Sequence, residues 1–309
     1  MNLYRYNGMS AVVFYIFYAF VWVLAWLPLP VLYVITYPVY LLLYYVVRYR
    51  KKVVRRNLTN SFPDKSLKEI KQIERRFYLH FVDVFTETLK LIHISDEEMQ
   101  RRMHFVNPEM MANFAKEKKS MVVMLGHYGN WEWITSIFID YKNIDGFVAG
   151  ELYRPLKNKY FDSFFLSLRK RFGTLNIPKN DALRAILGLR REGKTFALGF
   201  IADQTPSRNN LNYWNTFLNQ ETPFLTGPER IARKGGDAVI YFDVRKVKRG
   251  YYSCELVLVS PNAKETAENE ITDKYVELFE NTIKRDPACW LWSHKRWKHK
   301  RVDATEGDK

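Results

Sequence analysis

The sequence predicts an α/β domain with a mixed, mostly parallel sheet flanked by helices, preceded by an N-terminal hydrophobic helical segment that anchors the chain to a membrane. Two observations predict the domain. From about residue 65 onward, helix-period apolar patterns alternate with short apolar runs of strand length. The chain has 309 residues, 47% of them hydrophobic, which is enough for one such domain and an appendage. A third observation predicts the anchor: no Asp, Glu, Lys or Arg occurs from Tyr6 to Val47.

That uncharged run exceeds the roughly 20 residues a helix needs to cross a bilayer. Pro28, Pro30 and Pro38 interrupt it. Two arrangements fit: one span over about residues 11 to 27 followed by an interfacial helix, or a shallow hairpin that enters and leaves on the same side. Tyr and Trp recur along it (Tyr15, Trp22, Trp26, Tyr37, Tyr45), as at headgroup level. A cleaved signal peptide fits poorly, because only Arg5 precedes the run and no small-residue site ends it. The cluster Arg48-Tyr49-Arg50-Lys51-Lys52, continued by Arg55 and Arg56, places the remainder of the chain on the cytoplasmic side of the membrane and suits anionic headgroups. The expected division is an anchor with its basic segment over residues 1–57 and a cytoplasmic catalytic domain over 58–309.

Beyond the anchor, apolar spacing through Ile70, Ile73, Phe77, Phe81 and Val84 predicts a helix over about 65 to 95, and a second spans 105 to 118. Met121 to Leu125 is a continuous apolar run, a buried strand. Gly126 to Asn130 makes a loop, and Trp131 to Ile139 looks helical. A strand at 146–149 and a helix at 162–172 come next. The unit then repeats as helix 181–191, a turn at Gly193, strand 195–201 and the polar loop Ala202 to Pro206. Helix 228–234 ends at Gly235-Gly236 and leads into strand 238–244. A hairpin through Arg249-Gly250 returns as strand 252–259, and helix 268–285 precedes an aromatic-basic tail.

Net charge is +15, from 48 Lys and Arg against 33 Asp and Glu. Such an excess implies an anionic partner. Nucleic acid is disfavoured by the lack of zinc-finger spacing, RNA-binding aromatics or a recognition helix; a membrane surface explains the charge better. Cys254 and Cys289 have neither metal-ligand spacing nor a disulfide framework, which suggests a reducing compartment.

The chemistry-bearing residues gather after strand ends. His127 and Glu132, in Gly126-His127-Tyr128-Gly129-Asn130-Trp131-Glu132, follow one strand, where open α/β sheets build ligand sites. Imidazole suits proton abstraction near neutral pH, and a carboxylate can fix its tautomer. No Ser or Cys in the loop offers a covalent nucleophile, so a His base acting directly on an acceptor hydroxyl is the simpler chemistry. A lone His near a Glu is more often structural, but Asp203-Gln204 follows a second strand end and can reach the same edge. Arg154 and Arg169 lie between the two, and Arg suits bidentate capture of phosphate; the bland reading of each is a solvated charge. No metal or cofactor is required, there being no His-Glu-x-x-His or comparable ligand set. His294 and His299 belong to a basic aromatic tail expected against headgroups or a carrier protein.

In this order and spacing the chain resembles the bacterial lipid A late acyltransferases (lauroyl and myristoyl transferases) of the lysophospholipid acyltransferase superfamily. The residues that carry the resemblance are Arg55-Arg56-Asn57-Leu58, the His-x4-acid pair His127 and Glu132, Tyr153-Arg154-Pro155 with Asn158, Arg169, Asp203-Gln204, and Trp292-Ser293-His294-Lys295-Arg296-Trp297-Lys298. The resemblance implies a glycerol-phosphate-acyltransferase-like fold and transfer of a fatty acyl group from acyl carrier protein or acyl-CoA to a hydroxyl of a phosphorylated membrane lipid. It implies His127 as general base oriented by Glu132, with Arg169, Asp203, Arg154 and Gln204 binding substrate, and Arg169 nearest a phosphate. Departures from the family pattern, such as Thr205-Pro206 after Asp203-Gln204, leave the acceptor open to an ornithine lipid or another glycolipid. A thioesterase and a non-catalytic lipid-binding relative are the rival classes.

Overall fold

The computed structural model describes residues 3–301. In chain order the helices are α1 (Leu3–Leu24), α2 (Leu29–Leu41, continued by a π-helical turn to Val46), α3 (Lys51–Ser61), α4 (Leu67–Lys90), α5 (Asp96–Arg102), α6 (Glu109–Lys116), α7 (Lys159–Lys170), α8 (Ala182–Arg191), α9 (Gly227–Gly235) and α10 (Glu270–Arg285). The strands are β1 (Met103–Phe105), β2 (Met121–Leu125), β3 (Phe147–Tyr153), β4 (Leu175–Pro178), β5 (Thr195–Ile201), β6 (Trp214–Phe217), β7 (Gln220–Pro223), β8 (Ala238–Lys248) and β9 (Tyr251–Ser260).

The main sheet has seven strands in the order β1-β9-β8-β2-β5-β3-β4. β8 and β9 form its antiparallel hairpin, and every other neighbouring pair is parallel. The mixed, mostly parallel sheet is therefore as the sequence predicts. β2 lies between β5 and β8, and all five of its residues are buried, which is why it reads as an unbroken apolar run.

Several element boundaries differ from expectation. The stretch expected as helix over 105–118 opens with β1 and holds only the short α6. Trp133–Tyr141 is 3-10 rather than α-helical, its start pinned where Trp133 N donates to Asn130 Oδ1 (3.1 Å). The long helix expected over 65–95 ends at Lys90 and is followed by α5. Ser66 begins α4 with a capping box closed by Glu69.

The apolar N-terminal segment folds back on the rest of the chain. Phe14 of α1 packs against Tyr160, Phe161 and Phe164 of α7. Tyr33 of α2 donates a 2.6 Å hydrogen bond to the buried Glu87 of α4. Among the described residues one helical stretch, Leu29–Val46, is long and apolar enough to cross a membrane. Most of the exposed large apolar side chains lie between Val12 and Tyr49, a patch of the kind that marks a membrane or partner surface. The basic cluster after it is only partly available for headgroups. Arg55 forks onto the buried Glu74 (2.5 and 2.8 Å), and Arg50 donates to the Ser293 carbonyl, whereas Arg48, Lys52 and Arg56 are exposed.

Candidate active site

The parallel pairing of β2 with β5 sets Leu125 opposite Ile201. Two residues beyond each lie His127 and Asp203, so strand register alone brings them together at the C-terminal edge of the sheet. His127 Nδ1 is 2.7 Å from Asp203 Oδ1, and the His127 backbone N–H donates to Oδ2 at 3.1 Å. Trp290 Nε1 donates to the same Oδ2 at 2.8 Å. Asp203 is thus fully engaged, and buried. Burial alone would raise its pKa; the facing imidazole, and the N–H donors from His127 and Trp290, reverse that and pull it down to about 2. An ionised Asp203 accepts Nδ1–H from His127, which leaves Nε2 as the basic nitrogen. Gln204 Nε2 lies 3.3 Å from it.

Glu132, expected to orient His127, is not hydrogen-bonded to it. The carboxylate on His127 belongs to Asp203, while Glu132 takes a two-pronged bond from Arg169: Nε to Oε2 at 2.9 Å and Nη2 to Oε1 at 2.7 Å. Glu132 stands at the entry of the 3-10 segment, and its carboxylate is taken up by Arg169 of α7. Asn158 caps α7 by accepting from Tyr160 N and Phe161 N, and so fixes the register that places Arg169 in its last turn. Glu151 on β3 also faces Arg169, 3.3 Å from Nε. Two carboxylates thus share one guanidinium. Burial, with Arg169 opposing and Glu132 reinforcing it, pushes the Glu151 carboxyl up to about 7. Arg169, expected to meet a phosphate, already has Nε and Nη2 committed to Glu132. Arg154 is exposed on the loop after β3 and forms no ion pair among the described residues.

The loop from Gly126 to Asn130 is held by its surroundings. A side chain at Gly126 would run into the Phe279 ring, whose nearest atom is 2.1 Å from the added Cβ position; Gly129 takes φ +61. Asn130 Nδ2 donates to Glu87 Oε2 (2.8 Å), and Tyr252 and Tyr33 also donate to Glu87. This buried carboxylate ties the 126–130 loop, β9 and α2 together. The C-terminal stretch closes the other side: Gly129 N donates to Cys289 O and Leu291 N to His127 O. Asn57 of α3 reaches the Trp292 and His294 carbonyls, both at 3.0 Å. The tail, expected against headgroups or a carrier protein, is thus partly built into the core. Trp290, Trp292 and Arg296 are core, and only residues such as Lys295 and Lys298 are exposed. His294 accepts from Thr205 N, and burial drives its pKa down to about 4.

Beneath the loop is a narrow, mainly apolar slot of about 40 Å³. Its floor is one face of the sheet (Val123 and Leu125 of β2, Gly199 and Ile201 of β5), and Trp131, Ile134 and Phe138 roof it. Glu151 lines the same slot. Sequence reasoning missed Trp290, Glu87 and Glu151. For the two acids a signal exists: Glu151 interrupts an apolar strand, and Glu87 falls on the stripe Ile73, Phe77, Val84 that faces the core.

The model of the bacterial lipid A biosynthesis acyltransferase family matches residues 4–299. The chain belongs to this family. It is an acyltransferase of lipid A biosynthesis. It is 22% identical over 261 residues to a lipid A biosynthesis palmitoleoyltransferase of Escherichia coli (strain K12), covering 82% of this chain and 80% of the relative. The match to a lipid A biosynthesis acyltransferase of Shigella flexneri has the same identity and coverage. The family supplies the reaction class, an acyl donor and a lipid acceptor, while the pairings around His127, Asp203, Glu132 and Arg169 are this chain's own geometry.

Proposed function

We propose that this acyltransferase moves a fatty acyl chain from acyl carrier protein, or from acyl-CoA, directly to a hydroxyl of a phosphorylated lipid A precursor, with His127 as general base and no covalent acyl-enzyme. The observation that carries the proposal is the 2.7 Å contact of Asp203 with Nδ1. It leaves Nε2, which faces Gln204 Nε2 at 3.3 Å, as the nitrogen that takes the acceptor hydroxyl's proton. As that oxygen bonds to the thioester carbonyl carbon, the C–S bond breaks and the leaving thiolate takes the proton back from the imidazolium. Asp203 is a positioning residue that holds the tautomer and stabilises the charged ring. Gln204 stands where the acceptor hydroxyl must come and gives up that place on binding. Glu132 and Arg169 form a rigid pair beside the base, with Arg169 Nη1 left to meet an anionic substrate group and Arg154 at the exposed rim.

The slot beneath the loop is assigned to the donor's acyl chain. At about 40 Å³ it holds the volume of roughly three waters, so a long chain enters by moving the Trp131 and Phe138 side chains. The exposed apolar band from Val12 to Tyr49 supports an anchor in the inner membrane over residues 1–57, with residues 58–309 catalytic on the cytoplasmic side. The excess of 48 Lys and Arg over 33 Asp and Glu suits an acidic carrier protein and a phosphorylated acceptor.

The test is incubation of the purified full-length protein, in mixed micelles, with a lipid A precursor and labelled acyl carrier protein or acyl-CoA. Label in the lipid is the expected product. Label released chiefly as free fatty acid would make the protein a thioesterase.

A further inference from the structure

The slot beneath the loop is apolar except for Thr135, whose hydroxyl donates to the Glu132 carbonyl (3.3 Å), and Glu151. Sheet register places Glu151 of β3 opposite Gly199 of β5, and Gly199 opposite Val123 of β2, so all three share one face. A methyl group added at Gly199 would meet nothing closer than the Gly150 carbonyl at 3.7 Å and Glu151 Cβ at 4.0 Å. The missing side chain is what leaves open space beside Glu151. Its Oε1 is sealed from solvent and accepts no hydrogen bond from any described residue. Arg169 Nε lies 3.3 Å away, but its single N–H is already spent on Glu132 at 2.9 Å. Oε1 therefore receives charge from Arg169 without receiving a hydrogen. A buried carboxyl oxygen with no donor is costly, and filling the space next to it with plain methylenes leaves that cost standing. A ligand that brings a hydroxyl to the same spot removes that cost.

We propose that the slot selects a hydroxylated acyl chain, whose hydroxyl hydrogen-bonds to Glu151 Oε1. This rests on the reading of the slot as the donor-chain site and adds the chemical class of the donor: a hydroxyacyl thioester preferred over the unsubstituted chain of equal length. Glu151 acts here as a specificity determinant, separate from the proton transfer at His127.

The experiment uses the full-length protein in mixed micelles with a lipid A precursor. The donors are acyl carrier protein thioesters of one chain length: unsubstituted, 2-hydroxy, 3-hydroxy and a mid-chain hydroxy isomer. One hydroxy isomer is expected to exceed the unsubstituted chain by roughly five- to hundredfold in kcat/KM, the range for a buried acceptor left unpaired or satisfied. In E151L, which lines the slot with methyls, that preference should fall to about one as the unsubstituted chain improves. E151Q retains a group that pairs with a hydroxyl and should keep most of the preference. A wild-type ratio near one for every isomer overturns the inference, as does an E151L protein that keeps the wild-type preference. The wild-type ratio decides alone if E151L does not fold. Transfer without preference sinks only this inference; absence of lipid acylation from every donor sinks the proposed reaction and the inference with it.

Discussion

Replacing Asp203 by Asn tests the geometry of the base more sharply than removing the base. Asp203 accepts three hydrogen bonds: Oδ1 from His127 Nδ1 (2.7 Å), and Oδ2 from His127 N (3.1 Å) and Trp290 Nε1 (2.8 Å). Asparagine offers one acceptor oxygen. If that oxygen faces Nδ1, the amide NH2 confronts two buried donors, and the pair of stranded N–H groups costs about 2–4 kcal/mol of stability. If instead it faces Trp290, the NH2 points at Nδ1 and forces the ring proton onto Nε2, the nitrogen that must be free. Both poses lose the charge that stabilises the imidazolium. A charge-assisted bond lost in the transition state is worth about 3 kcal/mol, roughly a hundredfold in kcat, and the wrong tautomer extends this toward ~10⁴-fold. The assay is transfer of labelled acyl groups to a lipid A precursor at saturating donor, on D203N shown to be folded by circular dichroism. A kcat within about threefold of wild type would refute the assignment of Asp203 as the group that orients the base.

Other substitutions probe the surrounding network. R169A leaves Glu132 and Glu151 facing each other without a cation; with both side chains 12–20% exposed, the loss should be about 2–3 kcal/mol by urea unfolding in detergent, and R169K should recover part of it. E151Q should change stability with pH in a defined direction. The folded carboxyl titrates near 7 against an ordinary 4.5, so the wild type loses stability as pH rises through that interval. The neutral amide should be more stable than wild type by about 3 kcal/mol at pH 8 and equal to it below about pH 4.5; a difference that does not vary with pH would contradict the assignment. N130A removes a donor to Glu87 and the brace of the catalytic loop, and should lower the thermal midpoint by the equivalent of about 2 kcal/mol while also lowering kcat.

The sheet was legible because its central strands β2 and β5 are buried along most of their length. Met121–Leu125 and Thr195–Ile201 stand out as apolar runs, and knowing their ends was enough to place His127 and Asp203 at one edge. Which acid serves the histidine was not legible. Glu132 is five residues away in sequence but is bonded to Arg169, whereas Asp203, 76 residues away, is delivered by strand register. β4 was missed because it is a four-residue edge strand ending in Pro178, and the β6–β7 hairpin because its strands are short and polar. That hairpin turns through Leu218 and Asn219 at positive φ, and only the asparagine hints at it. The C-terminal stretch misled by composition. Its lysines are exposed as expected, yet Arg296 is buried over the Phe224 ring and donates to the Pro223 carbonyl, a placement that charge alone argues against.

The central claim, that His127 is the base and Asp203 acts through it, is tested most directly by a double-mutant cycle on lipid-linked product. H127A should abolish transfer to near background, D203A should cost roughly a hundredfold or more, and H127A/D203A should be no worse than H127A alone, because the carboxylate has nothing left to orient. Turnover near wild type in H127A, or losses that multiply in the double variant, would contradict it.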